Sequence, residues 1–549
     1  MRRIRLLIVL AIALIGVGCG SHARPAPFPS HRPDSRLLIH VLNRTSFGPR
    51  PGDLPRLQKM GVKAYLEEQL YPERIPDDPL AAWVAPLTAL QENQRTFAEQ
   101  YYRPMADARK QRADDIAAVA AVAAVAAMKR AAAQASMGDV AMSNTAMTAP
   151  TAVRRAPAAT SITVLPEEER YQRRNREVFE ALQQQHLLRA TYSQRQLQEV
   201  LTDFWFNHFN VDGRKIEDKP TLVEYERDVI RPYVFGRFRD LLAATAKSPA
   251  MLLYLDNWLN SAPPPPRPNA PPPPPGRGLN ENYARELMEL HTLGVDGGYT
   301  QQDVVEVARC FTGWTLHNHE GTGFWFNDKT HDRGQKRVLG EVIPAGRGIE
   351  DGEQVLDLLA RHPSTAHFIA TKLVRHFVAD EPPPALVNRV AATFLRTNGD
   401  LREVMREILT SKEFSSAAAY RAKIKTPFEY VVSALRATNA SITNGRSLVG
   451  TVAGLGEPLY QCQPPTGYSD RAAPWTNTGA LIGRINFAMA LVAKTFAAAN
   501  VPIVASESLA GDALGWDIGS RTRAALDNPR LNPPQRTALL IGSPEFQRR

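Results

Sequence analysis

The sequence predicts a mainly α protein, a large helical array carrying a small β-hairpin and two low-complexity insertions. Apolar residues recur at helical spacing along most of the chain, with cap residues where such runs begin. Alternating, strand-like segments are few, and two stretches of biased composition interrupt the helical text. Hydrophobic residues are 44% of the chain and charged ones 22%, which excludes a wholly disordered protein and allows a large core.

At the N-terminus, Met1-Arg2-Arg3-Ile4-Arg5 is basic and residues 6–18 are apolar, ending in small side chains. This is the pattern of a signal peptide, and the apolar run is shorter than the ~20 residues that cross a bilayer as a helix. It stops at Gly16-Val17-Gly18-Cys19-Gly20, which resembles the bacterial lipobox with Gly16 where leucine is usual. The expectation is therefore a signal peptide over 1–19 and lipidation at Cys19. The chain would then be held at the cell-envelope membrane through its lipid anchor, or be periplasmic or secreted if not acylated. Residues 20–34, rich in Pro, His and Arg, read as a tether. The length allows three or four domains, but the helical text from 35 to 549 reads as one continuous domain.

The first insertion, near 117–160, opens with Ala-Ala-Val repeats and runs into Ala, Met, Ser and Thr. Alanine favours helix, yet these side chains offer no broad apolar face to bury, so the segment is expected to be disordered. The second, near 262–277, contains two proline runs that cannot continue a helix and must be loop or polyproline. Beyond it, Thr300 before Gln301-Gln302-Asp303, and Asp400 before Leu401-Arg402-Glu403, have the form of capping boxes. Gly323-Phe324-Trp325-Phe326-Asn327 and Lys336-Arg337-Val338-Leu339-Gly340 flank His331-Asp332-Arg333-Gly334 and suggest the hairpin. Ile408-Leu409-Thr410-Ser411-Lys412-Glu413-Phe414 is echoed by Leu540-Ile541-Gly542-Ser543-Pro544-Glu545-Phe546.

The net charge of +10 comes from arginines spread along the chain. In an exported protein this argues against nucleic acid and for solubility or an anionic envelope surface. With Cys19 acylated, Cys310 and Cys462 remain, as one disulfide or as two buried thiols.

The densest polar text is residues 280–294, a helix that Gly294 would end. Ala284, Leu287, Met288 and Leu290 share one side with His291 near its centre, so His291 points at the core. Glu286 falls about 140° away from it, out of reach for a shared metal unless the helix ends early. Glu281, Arg285 and Glu289 form a row of opposite charges. In a second helix, Leu197, Val200, Leu201 and Phe204 make an apolar stripe that His208 continues. Two inward histidines on two helices point to an internal metal or cofactor site, or to two core histidines bonded to carbonyls or carboxylates. His331 and Asp332 add a ligand and a supporting carboxylate, or a turn. No Gly-x-Ser-x-Gly elbow, phosphate-cradling Lys-Ser/Thr loop or Cys-x-x-Cys pair occurs.

The chain resembles the bacterial family called domain of unknown function 1800. The residues that carry the resemblance include Leu42-Asn43-Arg44-Thr45-Ser46-Phe47-Gly48, Trp205-Phe206-Asn207-His208-Phe209, Tyr254-Leu255-Asp256-Asn257 and 280–294. It continues through Phe311-Thr312-Gly313-Trp314, His331-Asp332, Pro464-Pro465-Thr466-Gly467-Tyr468 and Ser543-Pro544-Glu545-Phe546. Tyr468 stands where the family's tryptophan is expected. The resemblance implies an exported, largely helical protein without an established activity, often encoded beside a sulfatase-like protein that would be its partner. Two functions are carried forward. The first is an enzyme of envelope or extracellular substrates, divalent-metal-dependent or acid/base, with His208, His331 and Asp332 as ligands and Glu286 and His291 as catalytic residues. The second is a non-catalytic binding or scaffold protein.

Overall fold

The computed structural model describes residues 35–137, 165–263, 278–317, 323–493, 497–502 and 506–549. The segments expected to be a signal peptide and a tether, with Cys19, lie outside the described residues, as do 138–164 and 264–277 of the two insertions. Helices carry the fold, and among the described residues the strands form only two-stranded pairs.

The helices that position the site are, in chain order, α1 (Ser35–Thr45), α2 (Val62–Leu70), α3 (Arg103–Met137), α4 (Pro166–Tyr192) and α5 (Gln196–His208). They continue with α6 (Glu281–Glu289), α7 (Gln301–Cys310), α8 (Pro363–Phe377), α9 (Pro384–Arg396), α10 (Leu401–Leu409), α11 (Pro427–Ala437), α12 (Thr478–Val492) and α13 (Pro533–Gly542). Local chemistry explains where they start. Pro166 opens α4 ahead of Glu167, Glu168 and Glu169, placing proline and acids in the first turn, where free N–H groups and the helix dipole favour them. Thr300 and Asp303 close a capping box on α7, as their spacing predicts. Asp400 caps α10 by accepting from the N–H groups of Arg402 and Glu403 at 3.0 and 3.1 Å, but the Glu403 side chain turns to Arg406 instead of closing a box. Helix ends are shared too. After α10 and after α13, Ser411 and Ser543 accept from the N–H groups of Phe414 and Phe546, and both phenylalanines are buried. The echo in the sequence is thus a repeated helix stop.

One contiguous apolar core runs from Val41 in α1 to Phe546 after α13. Within it α4 lies against α5 and α11, α2 against α5, α8 against α9, and α12 against α13.

Two expectations are corrected. The Ala-Ala-Val repeats are helical up to Met137. Alanine propensity suffices for this without a buried face, and Val119, Val122 and Met128 remain about 70% exposed. The expected hairpin is two separate ones. β1 (Trp314–Leu316) pairs with β2 (Phe324–Phe326), and β3 (Lys336–Val338) pairs with β4 (Glu341–Ile343). The reason is Leu339-Gly340, both at positive φ (50° and 86°), a two-residue turn that folds β3 directly onto β4. On either side of the second insertion, Ser261 N–H donates to the Gly278 carbonyl at 3.1 Å. Cys310 and Cys462 are buried and free, so they form no disulfide.

Candidate functional site

His208 and His291 meet inside the core, as their apolar stripes predict. The His208 Nε2–H donates to the His291 carbonyl at 3.1 Å, and the two ring centroids are 6.2 Å apart. Phe204, Phe209 and Phe368 surround the His208 ring. Burial and the nearby Lys372 cation push His291 down to about 3 and hold His208 well below its ordinary range, so both are neutral. Helix α6 ends at Glu289, and the Glu286 carbonyl accepts from His291 N–H at 3.0 Å. The Glu286 side chain does not join the histidine: burial and Glu289 raise its carboxyl, and among the described residues no bond links it to the His291 ring. The charged row on α6 reduces to Arg285 with Glu281 at 3.9 Å, with Arg285 also donating to Gln301.

His331 and Asp332 belong elsewhere. His331 Nδ1 lies 2.8 Å from the Thr312 carbonyl and Nε2 lies 3.3 Å from Asp351, which also pairs with Lys336 at 2.7 Å. Asp332 is bound by Arg309 at 2.8 and 3.1 Å. The expected ligand set of His208, His331 and Asp332 is therefore not assembled, because each side chain already has a partner of its own. Among the described residues no three His, Cys, Asp or Glu side chains are grouped to hold a metal ion.

A different cleft gathers the chemistry. It encloses about 670 Å³, part of it open to solvent, between α4, α5, the C-terminal end of α8, the start of α11 and the segment 457–470. Its polar groups include His186 from α4, Asp203 and Asn207 from α5, His376 from α8, Glu429 from α11, and Glu457 and Asp470 from the segment. The segment is fastened to α5 by amides. Asn207 accepts from Tyr468 N–H at 2.7 Å and donates to its carbonyl at 2.9 Å, while Asn210 donates to Cys462 and Pro464, both at 2.9 Å. Gly467 permits that approach: its φ is +74°, and a Cβ there would lie 2.2 Å from the Asn207 carbonyl. Tyr468 returns its hydroxyl to the Pro458 carbonyl at 2.8 Å, so it braces the loop. Tyr460 is held at φ +60°, a conformation costly without glycine. Its hydroxyl bonds Glu226, and its carbonyl accepts from Gly213 N–H at 2.7 Å.

Two histidine–carboxylate pairs face this space in opposite charge states. His186 bonds Asp203 at 3.2 Å and Glu226 at 3.4 Å. Burial alone would strip its proton, but the two carboxylates outweigh that and push it up to about 10. Burial likewise opposes charge on Glu226, yet His186, Arg231 and Tyr460 hold its carboxyl well below the usual range. His376 bonds Asp470 at 3.0 Å, and Arg549 lies 3.4 Å from its other nitrogen while pairing with Glu429 at 2.9 Å. Burial and the Arg549 charge outweigh Asp470, so His376 is pushed down and neutral. Glu457, 8% exposed, accepts from Phe428 N–H at 2.7 Å. Burial, with Asp203 adding repulsion, pushes its carboxyl up to about 8. Burial pushes the Cys462 thiol up to about 11, which leaves it a poor nucleophile at neutral pH.

The cleft thus holds a carboxylic acid that keeps its proton at neutral pH beside a carboxylate, Asp203, paired with an imidazolium. A protonated carboxyl and a second carboxyl bonded to an imidazolium in one cleft can serve as general acid and general base. Buried stripes like the one that carries His208 run through Val178, Leu182 and His186 in α4, and through Ile369, Leu373 and His376 in α8, so both histidines could be found by periodicity. Their acidic partners stand 17 to 94 residues away, and only the fold joins them.

No curated protein and no solved structure matches this chain. The sequence profile described as "Protein of unknown function (DUF1800)" matches residues 40–548, which include every residue of the cleft and nearly the whole chain. The protein belongs to the DUF1800 family.

Proposed function

We propose that the chain is an exported acid/base enzyme of the cell envelope, lipid-anchored through Cys19, whose reaction takes place in the cleft between α5, α8 and the segment 457–470. The observation that carries this reading is that Glu457, whose carboxyl burial pushes up to about 8, lines one cleft with Asp203, which bonds His186 at 3.2 Å. Glu457 would deliver its proton to a leaving oxygen or nitrogen. Asp203, its side chain 34% exposed, would take a proton from the substrate or from an attacking water. His186 keeps that carboxylate in place, and His376 with Asp470 fixes the opposite wall. The size of the cleft suits a small polar molecule or the end of a longer chain. The sequence pattern at 1–19 supports export, which would place such a substrate outside the cytoplasm.

The test incubates the purified mature protein with soluble envelope fragments and follows their composition by mass spectrometry, against Asp203→Asn and Glu457→Gln. An acid/base enzyme depletes a compound that neither variant depletes. A compound retained in stoichiometric amount and unaltered would instead make the cleft a binding site. Depletion equal in all three proteins would refute the assignment.

A further inference from the structure

A second polar crevice lies away from the acid/base cleft. It encloses about 340 Å³, part of it solvent, and three of its lining residues are arginines: Arg50, Arg56 and Arg436. Two of these are engaged. Arg56 pairs with Glu68. Arg436, 3% exposed, donates to the carbonyls of Gly48 and Thr191 at 2.5 and 2.9 Å and lies 3.4 Å from Asp53. Arg50 differs. Its backbone N–H donates to Asp53 at 2.8 Å and its guanidinium lies 5.7 Å from the Tyr192 ring, but among the described residues its buried Nη2 has no hydrogen-bond partner. A buried donor on a cation is costly without an acceptor.

The charges around it do not cancel. Asp53 is the acidic residue lining the crevice, and it is shared between the Arg50 backbone and Arg436. Asp77 lies behind, already accepting from Ser193 Oγ and Gln194 N–H at 2.8 and 2.7 Å. With Arg56 assigned to Glu68 and Arg436 to Asp53, the Arg50 charge is left over. Burial lowers both Arg50 and Arg436, the Arg50 charge lowers Arg436 further, and both lean on Asp53 as counter-ion. Tyr65 also lines the crevice, and its hydroxyl has a 3.5 Å contact with Thr45.

We propose that this crevice is a binding site for a small oxyanion, which Arg50 Nη2 bonds directly and the Arg436 charge holds. Guanidinium presents paired donors that fit phosphate, sulfate and carboxylate oxygens, and the space admits a group of that size without its being part of a large ligand. The site stands independently of the acid/base reading, because it shares no lining residue with that cleft.

The experiment titrates the mature protein with sodium phosphate, sodium sulfate and sodium acetate by calorimetry, with ionic strength held constant by sodium chloride. Saturable binding of one of the three, weakened about tenfold or more in Arg50→Gln and partly kept in Arg50→Lys, supports the site and names its anion. Asp203→Asn should bind as the wild type does. Equal affinity in wild type and Arg50→Gln, or no binding above chloride by any of the three anions, overturns the proposal.

Discussion

Replacing Glu457 by glutamine should remove a loss of stability that the wild type suffers between mildly acid and alkaline pH. Glu457 is 8% exposed, and its pKa is raised from 4.5 to about 8 by burial, with Asp203 adding to the effect. The folded protein therefore holds this proton more tightly than the unfolded chain. The resulting stability is fully present below about pH 4.5 and is lost as pH rises towards 8, because the folded state must then charge a buried carboxyl. Each tenfold change in proton affinity is worth about 1.4 kcal/mol, so the ceiling is about 5 kcal/mol. Relaxation and water entry around the new charge reduce that to about 2–3 kcal/mol. Glutamine keeps the shape and the bond from Phe428 N–H and has nothing to ionise. Urea unfolding of both proteins at pH 5 and pH 8.5 measures the effect. Relative to wild type, Glu457→Gln should gain about 2–3 kcal/mol between the two pH values, whatever its offset at pH 5. A difference that does not change with pH would show that Glu457 is already charged, and the assignment of the acid would fail.

Further consequences concern the frame of the cleft and the core. Gly467→Ala should cost about 2–4 kcal/mol, since a Cβ would lie 2.2 Å from the Asn207 carbonyl at a φ of +74°; thermal unfolding measures the loss, and proteolysis should cut first in 457–470. His40 sits buried beside Phe414, and burial with the Arg44 charge pushes it down to about 3. Its folded pKa lies below the unfolded value, so stability is present above about pH 6.5 and is lost as pH falls towards 3. His40→Phe should flatten that acid loss in unfolding curves taken at pH 7 and pH 4.5.

Much of this architecture is legible in the sequence because it is local. Thr300 and Asp303 are three residues apart, and the capping box they predict is formed. His208 and His291 follow apolar stripes, and both are buried where those stripes meet. What periodicity leaves open is which stripe a neighbouring helix presents. His331 continues no stripe toward His208 and is bound by Thr312 and Asp351, a pairing made by a turn and a helix start 19 and 20 residues away. The cleft was hidden for the same reason. His376 and Asp470 are 94 residues apart, and Glu457 shows its character only once Phe428 and the core close over it. Strand partners were missed because Leu339-Gly340 carries a turn signal weaker than Asn-Gly, although its two positive φ angles act in the same way.

The most direct measurement of the central claim is a pH titration of the histidines by NMR, on protein labelled with carbon-13 in the imidazole rings. His186→Gln assigns the signal, and Asp203→Asn tests its cause. If the cleft is the acid/base site described, the His186 ring stays protonated past pH 9 and releases its proton near 10, earlier in Asp203→Asn, while His208, His291 and His376 stay neutral throughout the neutral range. A His186 ring that titrates near its ordinary 6.5, unmoved by Asp203→Asn, would contradict the account.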